Sequence, residues 1–462
     1  MERLEDLSVA ETGRRLRAGS LTSEGLTRHL LKRIEALEPK LNAFITLTAE
    51  RALTDARRAD AELKSGKDRG PFHGVPYGLK DMYDTKGIRT TGHSKLLIDN
   101  IPSEDSFAVG KLHEGGGVLL GKLATHEFAI GGPSWDLPWP PSRNPWNTDH
   151  FTGGSSSGSA AAVAARLMRV ALGTDTTSSI RGPAALCGDV GLKATYGRVS
   201  KRGVLPLSYS LDHAGPLARS VEDAAIALQV IAGYDPEDAA SVDLPVPDFR
   251  ADMDKGVSGL RIGRIRHFDE TPAAAPEALE AITRTENLLR EAGATVEDVT
   301  LPDHGLFALC RAVIAGAEGY AIHEDNLKNR PQDFGAIGYE RLMAGAFLTA
   351  TDLVQAFRLR RELTAAVNAQ FQRYDVLICG CILEPAPRFD QYNHRASGVS
   401  TRTVPFNVSG HPAMSQPIGL SPGGMPLSLQ VVARPFDEVT MIRVGRAIEQ
   451  LTGWDQVPFP EL

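Results

Sequence analysis

Three short stretches of the chain carry residue types that can make and break bonds. The first, Gly153-Gly154-Ser155-Ser156-Ser157-Gly158-Ser159, opens an alanine-rich run from Ala160 to Ala165. Small residues there place backbone N–H groups and hydroxyls at the positive end of a helix. Alone, that pattern fits a flexible loop or an anion cradle as well as a reactive site, and no Gly-Lys-Ser/Thr closes it into a P-loop. The second stretch, Gly173-Thr174-Asp175-Thr176-Thr177-Ser178-Ser179-Ile180-Arg181, follows an apolar run at 170–172. Hydroxyls at a strand-to-helix turn can present a nucleophile beside backbone N–H donors, as acyl transfer requires. The third is Lys80, which ends Gly74-Val75-Pro76-Tyr77-Gly78-Leu79. A lysine leaving a buried strand loses hydration, its pKa falls and it becomes a base, whereas a lysine in solvent stays a surface cation.

Elements must hold these stretches in place. A Thr or Ser cap at 22–23 precedes an apolar-periodic run ending near Leu37, which predicts a helix. Residues 42–47 predict a strand and 49–65 an Ala-, Arg- and Glu-rich helix. Short apolar runs follow at 75–79, 117–120, 170–172, 260–265, 376–379 and 427–432, alternating with helical patterns. That alternation predicts an α/β/α sandwich, a central mixed β-sheet covered by helices, as one domain over 1–462. Residues 234–258, rich in Pro, Asp and Ala, read equally as a linker or a surface loop. Residues 131–150 hold three of the four Trp and read as an ordered loop, neither helix nor strand.

Composition narrows the class. With 50 basic and 57 acidic side chains the net charge is −7, and 42% of residues are apolar, which fits a globular chain. The mildly acidic balance predicts no nucleic-acid partner and no polybasic membrane anchor. Four cysteines are too few for a disulfide framework, and Cys379-Gly380-Cys381 is too tight for a metal knuckle, so no metal is expected. The start, Met1-Glu2-Arg3-Leu4-Glu5-Asp6, lacks a signal-peptide pattern, and no uncharged apolar run nears the length of a membrane span. A cytoplasmic protein is the expectation.

Taken together, the three stretches resemble the amidase signature family, serine hydrolases with a Ser–Ser–Lys triad. The resemblance continues through Cys187-Gly188-Asp189-Val190-Gly191-Leu192-Lys193-Ala194-Thr195-Tyr196-Gly197-Arg198 (a signature core at about 74–200). It reaches Phe406-Asn407-Val408-Ser409-Gly410-His411-Pro412-Ala413 and Gly424-Met425-Pro426-Leu427-Ser428-Leu429-Gln430. It implies Ser179 as nucleophile, Ser155, after a cis peptide bond, as the bridging serine, and Lys80 as base. It further implies an oxyanion hole from the N–H groups of Thr176, Thr177, Ser178 and Ser179, with Ser156, Asp175 and Arg181 shaping the site, and no cofactor. Thr177-Ser178 stand where the family has Gly-Gly. A threonine at positive φ is strained, so the turn needs an allowed conformation or a different acyl group, and Ser178 becomes a rival nucleophile.

The resemblance implies an amidase that cleaves a C–N bond of a small-molecule amide, with a homodimer as candidate assembly. Glu318-Gly319-Tyr320-Ala321-Ile322-His323 and Arg341-Leu342 resemble stand-alone amidases. They do not resemble the alternative within the family, the glutaminase subunit that feeds ammonia to tRNA-bound glutamate or aspartate. An alternative of another class is a non-catalytic anion-binding protein, but such a binder has no need of Lys80, Ser155 and Ser179 together. Trp135 and Trp139 are candidates to wall the pocket, against packing of their own loop; His126 and His323 are weaker candidates, since a lone His usually bonds locally. Burial is expected to lower the Lys80 pKa while Asp81 or Asp175 pushes it back, so that activity rises from neutral towards alkaline pH.

Overall fold

The computed structural model describes residues 3–392, 400–458 and 462; Met1 and Glu2 of the terminus read above lie outside them. Its strands are β1 Phe44–Leu47, β2 Pro76–Lys80, β3 Val118–Leu123, β4 Arg143–Asn144, β5 Asn147–Phe151, β6 Val170–Asp175 and β7 Val190–Lys193. They continue with β8 His213–Ala218, β9 Arg261–Arg264, β10 Thr295–Asp298, β11 Val376–Gly380, β12 Ala413–Leu420 and β13 Pro426–Ala433. Eleven of these form one sheet in the order β1-β3-β2-β6-β8-β7-β12-β13-β11-β9-β10. β3, β2 and β6 run parallel, the middle strands are antiparallel, and β11, β9 and β10 are parallel again, so the sheet is mixed as predicted. Strands from both sides of the 234–258 stretch share it.

Side-chain alternation along the strands builds the three layers. Leu119, Val170, Leu172, Val376 and Ile378 pack on one face, with apolar residues of the helices Val221–Ile231, Pro276–Glu291 and Glu438–Thr452. Val118, Leu120 and Ala171 face the other way, under the helices Ser23–Leu41, Ala49–Lys64 and Ser157–Ala164. On that second side Leu377 and Cys379 meet the helices His304–Asn329 and Ala350–Gln370. The Thr22 hydroxyl caps the helix Ser23–Leu41 by accepting from Gly25 N at 3.1 Å.

Three details differ from or refine the sequence reading. The 131–150 stretch contains a strand pair, β4 and β5, made across a tight turn in which Asn144 Oδ1 accepts from Trp146 N at 3.0 Å. Residues 234–258 are a loop fastened to the rest: the Ser200 hydroxyl donates to Asp235 at 2.8 Å and Arg202 Nε donates to Asp235 at 2.9 Å. The helix His304–Asn329 is long and apolar enough to cross a membrane by length and composition, a run the sequence reading did not register. It buries Phe307, Cys310 and Ile314 in the core.

Candidate active site

Lys80 is the last residue of β2, fully buried, and its ammonium reaches two hydroxyls: Ser155 Oγ at 2.6 Å and Thr174 Oγ1 at 2.7 Å. Thr174 sits near the end of β6, which is hydrogen-bonded to β2, so sheet register brings the second stretch to the lysine. Burial lowers the Lys80 pKa to about 7, against the opposing pull of Asp212 and then Asp175. Asp81, one of the two carboxylates expected to act on it, is turned away. It accepts from Thr91 N at 2.8 Å and pairs with buried Lys122 at 3.1 Å.

Ser155 follows a cis peptide bond from Gly154, and its carbonyl accepts from His126 N at 3.0 Å. The Gly154 position has no room for a side chain: a Cβ there falls 2.1 Å from His126 Cε1. The helix that follows is built from small residues because it packs backbone against backbone; a Cβ on Gly158 falls 2.4 Å from the Ala43 carbonyl oxygen. Close packing therefore accounts for the Gly, Ser and Ala composition. Ser156 N donates to the Ser179 carbonyl at 3.2 Å and Thr174 N donates to Ser156 Oγ at 3.3 Å, which locks the two Ser-rich stretches together.

The 176–179 turn holds the site's open donors. Among the described residues the backbone N–H groups of Thr177, Ser178 and Ser179 take no backbone acceptor. Neither Thr177 nor Ser178 has positive φ, so the Gly-Gly replacement is accommodated by an allowed backbone. The Thr403 hydroxyl donates to Thr177 O at 2.7 Å and Thr176 Oγ1 donates to Asp212 at 2.5 Å, fixing both residues from outside the turn. Ser178 Oγ lies 3.3 Å from Thr401 Oγ1, a partner that Ser179 Oγ lacks among the described residues. Below the turn, Asp175 accepts from Ile180 N at 3.1 Å and from Arg181 Nε at 3.0 Å. Burial raises its pKa, but the Arg181 charge overcomes this and holds it well below the carboxylate range. Arg181 also donates to Thr403 O at 3.0 Å and Gln430 Oε1 at 3.2 Å.

The structure thus gathers Lys80, Ser155, Ser156, Asp175, Ser179 and Arg181 at one place, with Thr176, Thr177 and Ser178 on the turn. No hydrogen bond or ring contact among the described residues joins Trp135 or Trp139 directly to these groups. Trp135 is 61% exposed with its ring edge-on to Phe389, and Trp139 packs edge-on to His93 at 5.6 Å. His323 lies against Phe128 and Phe334, whereas His126 is buried beside Gly154 and neutral, its pKa lowered to about 3 by burial and by Lys80. Sequence reasoning missed Asp212, Thr401 and Thr403, and gave Thr174, inside the second stretch, no role of its own. Asn407 and Gln430 lay inside quoted motifs, but nothing in their type announced that they would bond Asp175 and Arg181. A lysine with a pKa of about 7 hydrogen-bonded to one serine hydroxyl, with a second serine on a turn of open N–H donors, has the groups that acyl transfer without a histidine requires.

An eleven-stranded α/β/α sandwich carrying a Ser–Ser–Lys cluster defines an amidase-type hydrolase. The family model described as Amidase matches residues 25–442, and the chain belongs to the amidase signature family, enzymes that act on C–N bonds. It is 39% identical over 478 residues to the A subunit of the Glutamyl-tRNA(Gln) amidotransferase of Geobacter metallireducens, covering 98% of each protein. Among solved structures it resembles one described as an unexpected vestigial protein complex that reveals the evolutionary origins of an s-triazine catabolic enzyme. There the TM-score is 0.92 and the identity 32%, over 99% of this chain and 100% of that one. It also resembles the corresponding Glutamyl-tRNA(Gln) amidotransferase subunit of Thermotoga maritima, at TM-score 0.83 and 31% identity over 100% of this chain and 99% of that one.

These similarities overturn the reading as a stand-alone amidase with a small-molecule partner and no nucleic acid, and favour the alternative of a glutaminase subunit. The physical reason for the error is visible. The segment that argued for a stand-alone enzyme serves packing: Glu318 accepts from the Ser208 hydroxyl and from Ser210 N, and His323 is buried among aromatic rings. Glu318 and His323 therefore report local packing and say little about the substrate.

Proposed function

We propose that this chain, as one folding unit over 1–462, is the amide-hydrolysing component of an amidotransferase that acts on a tRNA-bound amino acid. The observation that carries the reading is the near full-length similarity to the A subunit of Glutamyl-tRNA(Gln) amidotransferase, joined to a buried Lys80 hydrogen-bonded to Ser155. The amide is that of glutamine. Lys80, neutral in part at pH 7, takes the Ser155 proton while Ser155 takes that of Ser179. Ser179 Oγ attacks the carbonyl carbon, and the N–H groups of the 176–179 turn hold the oxyanion, each worth about 3 kcal/mol. Collapse breaks the C–N bond, and the relay runs backward to protonate the nitrogen, which leaves as ammonia. Water then attacks the acyl-enzyme with the same base, releasing glutamate and restoring Ser179.

A cavity of about 740 Å³ adjoins the lysine side of the site, lined by Thr174, Asp212, His213 and Tyr209 among others. A cytoplasmic location goes with this reading. The test is reconstitution with the remaining amidotransferase components of the same genome, followed by conversion of Glu-tRNA(Gln) with glutamine or with ammonium as nitrogen donor. Glutamine-dependent conversion that Ser179→Ala abolishes, while ammonium-dependent conversion persists, is the expected result. Glutamine left unhydrolysed by the complete assembly overturns the reading.

A further inference from the structure

Asp212 belongs to neither the triad nor any motif singled out in the sequence, yet its carboxylate is hydrogen-bonded to the oxyanion turn and its charge acts on Lys80. It is 8% exposed, directly before β8, and its two oxygens divide their work. Oδ1 accepts from Thr176 Oγ1 at 2.5 Å, and Oδ2 accepts from the backbone N–H groups of Leu207 and Ser208, both at 2.9 Å. These bonds tie the 207–212 turn to the oxyanion turn. Asp212 and Thr174 also line the same cavity, and Thr174 is the second hydroxyl on Lys80.

We propose that Asp212 is a positioning residue for acyl transfer: it anchors Thr176 at the head of the oxyanion turn and sets its carboxylate on the cavity wall it shares with Thr174, the second hydroxyl on Lys80. Burial raises the Asp212 pKa above the usual carboxylate value, and the bonds from Thr176, Ser208 and Leu207 offset part of that rise; in its ionised form the buried charge favours the protonated form of a nearby lysine. Lys80 therefore sits between two opposed effects, since burial strips it of hydration while Asp212 restores part of its proton affinity. A base too weakly basic transfers protons poorly, however large its neutral fraction. Other charges face this pair from every side: Asp175 at the end of β6, Lys201 in the 195–212 segment, and neutral His126 beside Ser155. Glu318 of the helix His304–Asn329 reaches the same turn through Ser208.

The inference rests on the reading of Ser179 as nucleophile, so the test uses an organophosphonate that labels that serine whatever the natural amide is. The labelling rate of the full chain is followed against pH by peptide mass. Asp212→Asn should move the rising limb about one pH unit lower, with a plateau about tenfold slower because Thr176 is released. Thr176→Val should slow the plateau and leave the limb in place. Asp212→Glu, which keeps the charge, should restore the limb; Asp212→Ser replaces the Asn variant if that one fails to fold. Neutral variants that lose rate equally at every pH, with an unmoved limb, overturn the proposal and leave Asp212 a purely structural residue. No label on Ser179 of the parent protein overturns the reading of the site instead.

Discussion

Replacing Lys80 with methionine should abolish activity and, at neutral pH, make the protein more stable. The folded pKa of Lys80 is about 7, whereas a lysine in the unfolded chain titrates near 10.4. Between those values the unfolded chain binds the extra proton, so folding stability rises with pH across that window. The cost of burying the lysine is about 4 kcal/mol at pH 7 and falls below about 1 kcal/mol at pH 10. Methionine fills a similar volume without the charge, but Ser155 Oγ and Thr174 Oγ1 each lose a donor, at about 1 kcal/mol apiece. The balance is a gain of about 2 kcal/mol at pH 7 and a loss of about 1 kcal/mol at pH 10. Urea unfolding of parent and variant at both pH values measures it, with phosphonate labelling of Ser179 as the activity readout. A variant less stable than the parent by the same amount at both pH values would mean that Lys80 is charged when folded, and the lysine-base mechanism would fall with it.

Ser179→Ala should remove the covalent adduct while Ser178→Ala leaves measurable turnover, because the Ser178 hydroxyl is turned to Thr401; an adduct mapped to Ser178 by mass spectrometry reverses the assignment. Ser155→Ala should slow acylation by about 10²–10⁴-fold by removing the proton relay, and should cost about 1 kcal/mol in urea unfolding because buried Lys80 loses one of its two hydroxyl partners. Gly154→Ala should cost about 1–3 kcal/mol by driving a methyl into the His126 ring, and His126→Gly in the same chain should recover part of that loss in thermal melts. Lys122→Met should destabilise by about 3–5 kcal/mol by leaving Asp81 buried and unpaired; adding Asp81→Asn should restore most of it, and a double variant no better than the single one refutes the pairing.

The parts of the fold that follow from local pattern were legible. The helix after Thr22 and strands β2, β6, β11 and β13 lie where apolar runs and caps put them. Two central strands hid because each contains a proline, which normally argues against an interior strand. In β12, Pro417 lies beyond the last residue paired with β7 and beside a bulge against β13, so the lost donor costs little. In β8, Pro216 likewise lies outside the pairing with β7. Tertiary register makes both tolerable, and register cannot be read from a single segment. The candidate site was legible through Lys80, Ser155 and Ser179 because their flanking glycines and serines form recognisable runs. Thr174, Asp212 and Thr403 come from separate elements and converge only in the fold.

The convergence has a common electrostatic logic. Each carboxylate near Lys80 is engaged by a donor other than the lysine: Asp81 by Lys122 and Thr91, Asp175 by Arg181, and Asp212 by Thr176 and two backbone N–H groups. Among the described residues the Lys80 ammonium hydrogen-bonds only to hydroxyls. Had any of the three carboxylates met the ammonium directly, the ion pair would have kept the proton on the lysine through neutral pH. Had none been nearby, burial alone would have left the lysine too weak a base to pull a proton through Ser155. The buried cations Arg181 and Lys122, which in isolation are costly to desolvate, therefore hold carboxylates away from the base as well as holding the fold. Their place beside Lys80, Ser155 and Ser179 accounts for the amount of ionic structure under a site whose proposed chemistry needs a neutral amine.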